Sequence, residues 1–478
     1  MPSRHPSWLN HAPFDAAIVG AGVVGALTAR ALTRVGLRVI LVEAGADPAG
    51  ATKANSGIVH PGYDPERGTL KAALGLAGAR AFEVTAAALG VPFRRTGSLM
   101  LAFDESEGQT LRHYLAQGRG RGLRGLRLLD REEVLTREPA VNPAVLAALY
   151  SPDTAVTSPF ELAVAAVQGA IAGGAEAWRE AEVTGVERGA AGFTIGTSRG
   201  QVRARRLVNA AGLGAKRVAG LAGHQGLDVR GRVGEYLLLD RDVEELVKMV
   251  LYPVPSPFSK GILVVPTVHG NVLLGPNAEN LADADARANA VTRQGLAEVA
   301  EGARRLVPGL PIDRVIATFS GTRAVAGGDF VIEPSEQVPG LINVVGIASP
   351  GLTASPAIAG HVTRLLSGRT PPPEEPATGA TALSESPRRT PGGGRIVCRC
   401  EGVTEAEVIA AIRGPFGATT LDGVKQRTRA GMGRCQGSFC GPRVVEIMAR
   451  ELGEPVSRVT KAGAGSELFS GRTKEAGP

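Results

Sequence analysis

Four cysteines are the only thiols in this chain of 478 residues, and all lie near its C-terminal end: Cys398 and Cys400 in "IVCRCEG", Cys435 and Cys440 in "GMGRCQGSFCGP". Thiols gathered this closely either form bridges or bind metal. Bridges suit a secreted chain, but "MPSRHPSWLNHAPFD" has no apolar segment of the kind that directs secretion. Zinc ribbons favour paired C-x2-C knuckles, whereas here C-x-C is followed by thirty-four residues and then C-x4-C. Two irons want four thiolates on two loops, and this spacing supplies them. Cys398, Cys400, Cys435 and Cys440 are therefore read as ligands of a [2Fe–2S] cluster, with zinc and a disulfide as rivals. Lys425, Arg427, Arg429 and Arg434 lie just before the second pair, and cations beside an anionic cluster favour its reduced form. The other use for such a run is a nucleic-acid surface, but no aromatic residue interleaves it and the whole chain carries only +7.

A second centre opens the chain. In "FDAAIVGAGVVGALTARALTRVGLRVILVEAG" an apolar strand runs into Gly20-x-Gly22-x-x-Gly25, a helix follows, and a second strand ends at Glu43. Gly20 permits the tight turn, Gly22 lets backbone approach a pyrophosphate, Gly25 lets helix pack on strand, and the helix start attracts phosphate charge. An acid at Glu43 binds ribose hydroxyls and disfavours a 2′-phosphate, which leaves NAD and FAD. Two more strand–turn–helix units follow, around Gly212 in "RARRLVNAAGLGAKRVAGLAG" and, in "GLINVVGIASPGLTASPAIAGHVTRLL", at Gly346 with Gly351, Leu352 and Thr353. A second glycine-rich helix start far from the first suits a long cofactor, one helix end facing the pyrophosphate and the other the flavin ring. Redox arithmetic agrees. Hydride removal yields two electrons, a single [2Fe–2S] cluster takes one at a time, and a flavin can divide the pair.

Composition fits a large α/β enzyme of two or three domains: 44% hydrophobic residues and 64 glycines. The 4% aromatic content argues against sugar- or base-stacking surfaces. Residues 367–394, "SGRTPPPEEPATGATALSESPRRTPGGG", lack the apolar residues to build a core and are expected to be a flexible linker separating the two centres. With no run of about 18 apolar residues, the expectation is a cytoplasmic protein without a membrane span, reaching a membrane only through a partner.

The segment "VCRCEGVTEAEVIAAI" with "TLDGVKQRTRAGMGRCQGSFCGPRV" resembles the bacterioferritin-associated-ferredoxin-like [2Fe–2S] module over about residues 395–450. Its C-x4-C is similar to the version fused to flavin dehydrogenases. "GATKANSGIVHPGYDP", "VVPTVHGNVLLGP", "SGTRAVAGGDFVIEPS" and "GIASPGLTASPAIA" resemble the D-amino-acid-oxidase-like flavoproteins over residues 13–366. Within them the likeness is nearest to glycerol-3-phosphate dehydrogenases and oxidases, with 2-hydroxyglutarate oxidases nearby. That resemblance implies an α/β fold in which a Rossmann-like FAD-binding domain (about 13–85, 155–225 and 315–366) is interleaved with an antiparallel-sheet substrate domain (about 86–154 and 226–314). A small helical [2Fe–2S] domain (395–450) and a tail (451–478) would follow. It also implies FAD contacts from Thr52, Asn55, Ser56, Gly57 and Val183, and an active site between the two domains.

His60 would sit by the flavin ring as base or positioner, Arg323 would clamp a substrate anion, and Lys260 is a weaker candidate for the same task. His269 is expected to serve the sheet turn. With no cysteine near the ring, FAD is expected to be non-covalent. The activity implied is FAD-dependent oxidation of a small anionic 2-hydroxy compound, first sn-glycerol 3-phosphate, then 2-hydroxyglutarate or another hydroxy acid, then an amino acid or opine. Electrons would leave through the cluster to a second flavoprotein, an acceptor subunit or a quinone-linked carrier. In the glycerol-3-phosphate branch a small residue and an arginine often follow the glycine after the histidine turn, whereas Tyr63 and Asp64 follow Gly62 here. The non-enzymatic alternative is a redox-sensing or docking protein built on the ferredoxin-like module.

Overall fold

Runs of apolar residues punctuated by glycine turns sort this chain into two large sheets and a small helical unit. The computed structural model describes residues 12–255, 261–281, 290–375, 394–469 and 471. Phe14–Val19 lies within an eight-stranded sheet, with Val39–Val42 and Gly200–Asn209 parallel on its two sides. Glu176–Trp178 extends the parallel order beyond Val39–Val42, and Leu341–Val345 pairs with the end of Gly200–Asn209. Strands such as VILV and LINVV are buried throughout, as parallel strands covered on both faces must be. Helices Val23–Arg34, Leu70–Ala88, Pro159–Ala172 and Gly351–Ser367 pack against one another and contribute to one core with this sheet.

The second sheet has nine strands and is antiparallel except where Val250–Pro253 runs parallel to Ser98–Ala102. Its longest pair is Arg230–Leu239 with Val315–Val325, and helix Arg293–Leu306 buries Val299, Ala303 and Leu306 against one face. The boundary expected at residue 315 is thereby shifted: Val315–Val325 belongs to the second sheet, and the chain returns to the first only with Val331–Pro334 and Leu341–Val345. The interleaving is the one expected.

In the small unit a two-strand ribbon, Ile396–Cys398 with Val403–Thr404, leads into helices Glu405–Arg413, Leu421–Thr428 and Gly441–Leu452. Thr404 and Glu407 form a reciprocal capping box and Thr420 caps the next helix, so each start is fixed by its own sequence. Val408, Val424, Val444, Ile447 and Met448 make its core. Residues after 450 are not a loose tail as far as they are described. Val459 is buried in that core, and the Thr460 carbonyl accepts the Leu421 N–H.

Nor does the expected linker leave the body at once. Glu374 pairs with Arg30 and with Arg34, the latter at 2.9 Å, and the Pro373 carbonyl accepts from Arg34. Residues 376–393 lie outside the described residues. The small unit itself is seated on the main body through Arg427–Asp47, Lys53–Asp422, Arg241–Glu401 and Arg434 with Asp240 and Asp242. The two domains are therefore in contact, not held apart. Among the described residues no helix is long and apolar enough to cross a membrane.

Helices Leu70–Ala88 and Gly351–Ser367 meet through glycine, since a Cβ on Gly78 would collide with the Thr353 carbonyl and one on Gly75 would press on Pro350 at 3.3 Å. Gly78→Ala should therefore cost about 1–3 kcal/mol through overpacking and lower the melting temperature by several degrees. Gly220→Ala, in helix Ala215–Leu221 with open space around it, should be neutral or stabilising by about 0.5–1 kcal/mol. Equal melting temperatures for the two variants would contradict this account.

Candidate active site

The first turn is built to bring backbone close to a ligand. Gly20 has φ +101°, and a Cβ there would strike Ala210; a Cβ on Gly25 would run into the Gly20 carbonyl. Helix Val23–Arg34 starts with no side-chain cap of its own and no acid in its first turn. Its first N–H, on Val23, donates to Thr52 Oγ1 at 3.0 Å. Glu43, at the end of the next strand, accepts the Ala21 N–H at 2.7 Å and the Gly45 N–H at 2.9 Å, while burial pushes its carboxyl up.

A cavity of about 400 Å³ starts at this turn and runs between the two sheets. Gly20, Gly22, Glu43, Thr52, Asn55 and Ser56 line one end. Gly212, Gly346, Gly351, Leu352 and Thr353 line its flank, and His60 and Arg323 lie toward the second sheet. Three expected cofactor residues do not line it. Gly25 is the packing contact just described. Gly57, at φ +66°, turns the chain against the Thr157 backbone and donates its N–H to Asn55 Oδ1 at 2.8 Å. Val183 is buried among Ala181, Phe193 and Ile195, with its carbonyl taken by Arg217. Lys260 lies outside the described residues; its neighbour Gly261 lines the cavity.

The residues present fit FAD. Helix Gly351–Ser367 also begins at the cavity without a side-chain cap or a first-turn acid, so two positive helix ends face one long space. Bare backbone at Gly20 and Gly22 provides the close approach, and Glu43 the ribose acceptor.

His60 is held from several sides. Its backbone N–H donates to Thr353 Oγ1 at 2.9 Å, its Nδ1 accepts the Gly62 N–H at 3.1 Å, and Asp64 Oδ1 lies 3.2 Å from the same nitrogen. Its ring packs 4.6 Å from Tyr63 and 6.0 Å from Tyr252. Asp64, which stands where the family likeness leads one to expect arginine, thus orients the histidine.

Arg323 projects from Val315–Val325 and donates to the Asn277 carbonyl at 3.1 Å; Gly234 leaves room for its guanidinium. Burial pulls its pKa down, and among the described residues no carboxylate pairs with it. A half-buried cation in that state favours an anionic ligand. Tyr252 was not evident from sequence, because it sits on a plain apolar strand with no motif. The residue lines the cavity, and among the described residues its buried hydroxyl has no hydrogen-bond partner. His269 does stand at its sheet turn, and its ring reaches helix Pro159–Ala172 through Glu161 at 2.8 Å.

All four cysteines are free thiols, Cys398 and Cys440 buried, Cys400 exposed and Cys435 between. Cys400 and Cys435 sulfurs are 4.0 Å apart. A hydrogen bond from Cys440, with the Gly431 and Glu401 N–H groups, lowers the Cys398 thiol to about 6, while Cys440 is raised. N–H groups of Phe439 and Gly437 lower Cys435. Two loops that offer backbone donors to sulfur suit the thiolates of a [2Fe–2S] cluster. The basic run does something other than expected. Arg427 and Arg434 reach across to carboxylates of the main body, and Arg429 holds Glu401 at 2.9 Å.

Comparison with known proteins agrees with this geometry. Residues 15–365 match the FAD dependent oxidoreductase family DAO, and residues 396–450 match the BFD-like [2Fe-2S] binding domain. A glycerol 3-phosphate dehydrogenase of Caloramator mitchellensis is 40% identical over 477 residues, covering 96% of this chain and 99% of that protein. The mitochondrial L-2-hydroxyglutarate dehydrogenase of Mus musculus is 33% identical over 281 residues, covering 54% of this chain and 60% of the relative. The structure of dithionite-reduced L-alpha-glycerophosphate oxidase from Mycoplasma pneumoniae with FAD bound superposes with a TM-score of 0.72 at 28% identity, covering 76% of this chain and 98% of that one. With two helix starts facing one cavity and four thiols on two donor-rich loops of a second domain, the chain belongs to the DAO family of FAD-dependent oxidoreductases, joined to a BFD-like [2Fe–2S] domain.

Proposed function

We propose that this enzyme oxidises sn-glycerol 3-phosphate to dihydroxyacetone phosphate, and that the electrons leave through its [2Fe–2S] domain to a partner flavoprotein or quinone-linked acceptor. The observation that carries the reading is the 40% identity to a glycerol 3-phosphate dehydrogenase across 96% of the chain, which spans both the FAD and the [2Fe–2S] regions. When bound, FAD supplies the acceptor for the hydride that leaves the carbinol carbon. Arg323 holds the substrate anion with a planar, two-pronged contact, and Tyr252 offers a hydroxyl with no other partner. His60 takes the hydroxyl proton as the hydride departs, so the alcohol becomes a ketone. For proton uptake at Nε2 the neutral ring carries its hydrogen on Nδ1, donated to Asp64 Oδ1 at 3.2 Å, in place of accepting the Gly62 N–H. The Asp64 carboxylate then stabilises the imidazolium that forms. Tyr236 lines the cavity, its ring stacked on Phe319 with centroids 4.8 Å apart.

A 2-hydroxy acid is the second reading. Its carboxylate suits the same guanidinium, and Asp64 standing in place of an arginine leaves one cation fewer than the glycerol-3-phosphate branch often has.

Three outcomes test this. With an artificial dye as acceptor, glycerol 3-phosphate should be oxidised faster than 2-hydroxyglutarate, lactate or amino acids; a preference for a hydroxy acid would replace the first reading with the second. Arg323→Lys keeps the charge but loses the fork, and a charged hydrogen bond is worth about 1.5–3 kcal/mol, so KM for the true substrate should rise about tenfold or more. Unchanged KM would move the anion site elsewhere. Purified protein should contain about two irons and two acid-labile sulfides per chain, and Cys435→Ser should lower both; stoichiometric zinc without sulfide would be the contrary result.

A further inference from the structure

The loop after Glu43 forms part of the FAD cavity wall, with Ala49, Gly50, Ala51 and Thr52 lining it. Its own support is slight. The four-residue helix Gly50–Lys53 has no side-chain hydrogen bond at its N-cap, and Gly50 needs φ +57°. Thr52 nevertheless has to stay where its hydroxyl meets the first N–H of helix Val23–Arg34.

Asn55 Nδ2 donates to the Ala51 and Thr52 carbonyls at 3.0 and 3.1 Å, and the charged contacts that flank this stretch come from the other domain. Asp47, before the short helix, meets Arg427 Nη1 at 2.6 Å and accepts from Thr420 Oγ1 at 3.3 Å, and the Asp47 and Arg427 side chains are only 7% and 5% exposed. Lys53, at the helix end, meets Asp422 Oδ2 at 2.8 Å, and Lys461 holds the same carboxylate at 3.0 Å. Thr420 caps helix Leu421–Thr428, and Asp422 and Arg427 lie within it. Gly423 lets it lie flat, since a Cβ there would collide with the Asp47 carboxylate. One helix of the [2Fe–2S] domain thus grips the FAD loop on both sides of its cavity-lining stretch. An exposed ion pair would hold little, but a buried pair that loses one partner leaves an uncompensated charge in low dielectric.

We propose that the [2Fe–2S] domain completes the FAD site. By fixing residues 47–53, Asp47 and Arg427 act as positioning residues for the flavin cofactor, and FAD binding and domain docking favour one another. Linkage requires the effect to be reciprocal: the docked domain tightens FAD, and FAD tightens the docking. The inference rests on FAD occupying this cavity and not on which alcohol is oxidised, so a protein inactive on glycerol 3-phosphate would leave it standing.

The test uses the full chain with its cluster, stripped of FAD and titrated with FAD by flavin fluorescence. Asp47→Asn and Arg427→Gln should each raise the Kd for FAD about tenfold or more, with iron content and the visible cluster spectrum unchanged. The double variant should be little worse than either single one, because both remove the same contact. Arg427→Lys should restore much of the affinity. Arg443→Gln, which touches only Glu405 and Glu446 of its own domain, should bind FAD as the unmodified chain does.

FAD affinity within twofold of the unmodified chain for both interface variants, cluster retained, would overturn the proposal. So would an effect of Asp47→Asn that Arg427→Gln does not share. Should Arg427→Gln lose its cluster, amide exchange in the unmodified chain decides. Removing FAD should speed exchange in residues 421–428 about tenfold or more, and identical exchange with and without FAD would overturn the coupling.

Discussion

Bare backbone has to be pressed against a large polyanionic cofactor, and much of the main body's arrangement serves that contact. Side chains at Gly20 or Gly25 would drive apart the strand, the helix and the neighbouring turn. Only a turn free of Cβ atoms lets the helix start reach the ligand while still packing on the sheet behind it. The second helix start, at Gly351, is set by the same device at one remove. Glycines at 75 and 78 let helix Leu70–Ala88 close against it, and the parallel strand Leu341–Val345 delivers it to the cavity. Neither helix is capped by the side chain of its own N-cap residue, and Thr52 meets only the first N–H of the helix at Val23. That is unfavourable in isolation and understandable where a cofactor supplies the acceptors.

Charge on the substrate side follows a complementary rule. Arg323 is half-buried and donates to the Asn277 carbonyl, a state that favours an anionic ligand beside it. Asp64 does not cancel that cation, because it is turned toward His60. The cavity therefore has a cation on one side, from strand Val315–Val325, and on another a histidine with a carboxylate beside it, from the turn after Ile58–Val59.

The parts legible in the sequence were those in which chemistry dictates spacing. Glycines 20, 22, 346 and 351 with Glu43 announce themselves because a phosphate approach admits few alternatives, and four thiols on two loops announce a cluster. Tyr252 was illegible, since its strand reads as ordinary core. Gly57 and Val183 are not among the residues that line the cavity: one packs on the Thr157 backbone and the other in the core with Phe193 and Ile195, contacts that no motif encodes. The strand Val315–Val325 was assigned to the wrong sheet because pairing partners are distant in sequence, and alternation shows a strand without showing which sheet receives it. The basic run before Cys435 misled for a different reason. Cations in sequence near a cluster need not be near it in function, and here Arg427 and Arg434 face carboxylates of the other domain.

That misreading alters what the linker is for. A tether rich in proline, glycine and serine invites a picture of a swinging electron carrier, yet the buried Asp47–Arg427 pair and the guanidinium of Arg179 over the Phe416 ring at 4.1 Å describe a seated domain. Long connections cost little extra closure entropy as they lengthen, so a polar span can serve simply to let the second domain reach a seat fixed by side chains. Seating also resolves the redox arithmetic structurally. In the proposed reaction two electrons would arrive together at the flavin and leave singly, and a seated one-electron centre would be present at each turnover without being sought by diffusion. A docking surface that grips the cofactor's own loop meets that need, because it makes the position of the cluster domain and the order of the FAD cradle properties of the same contact.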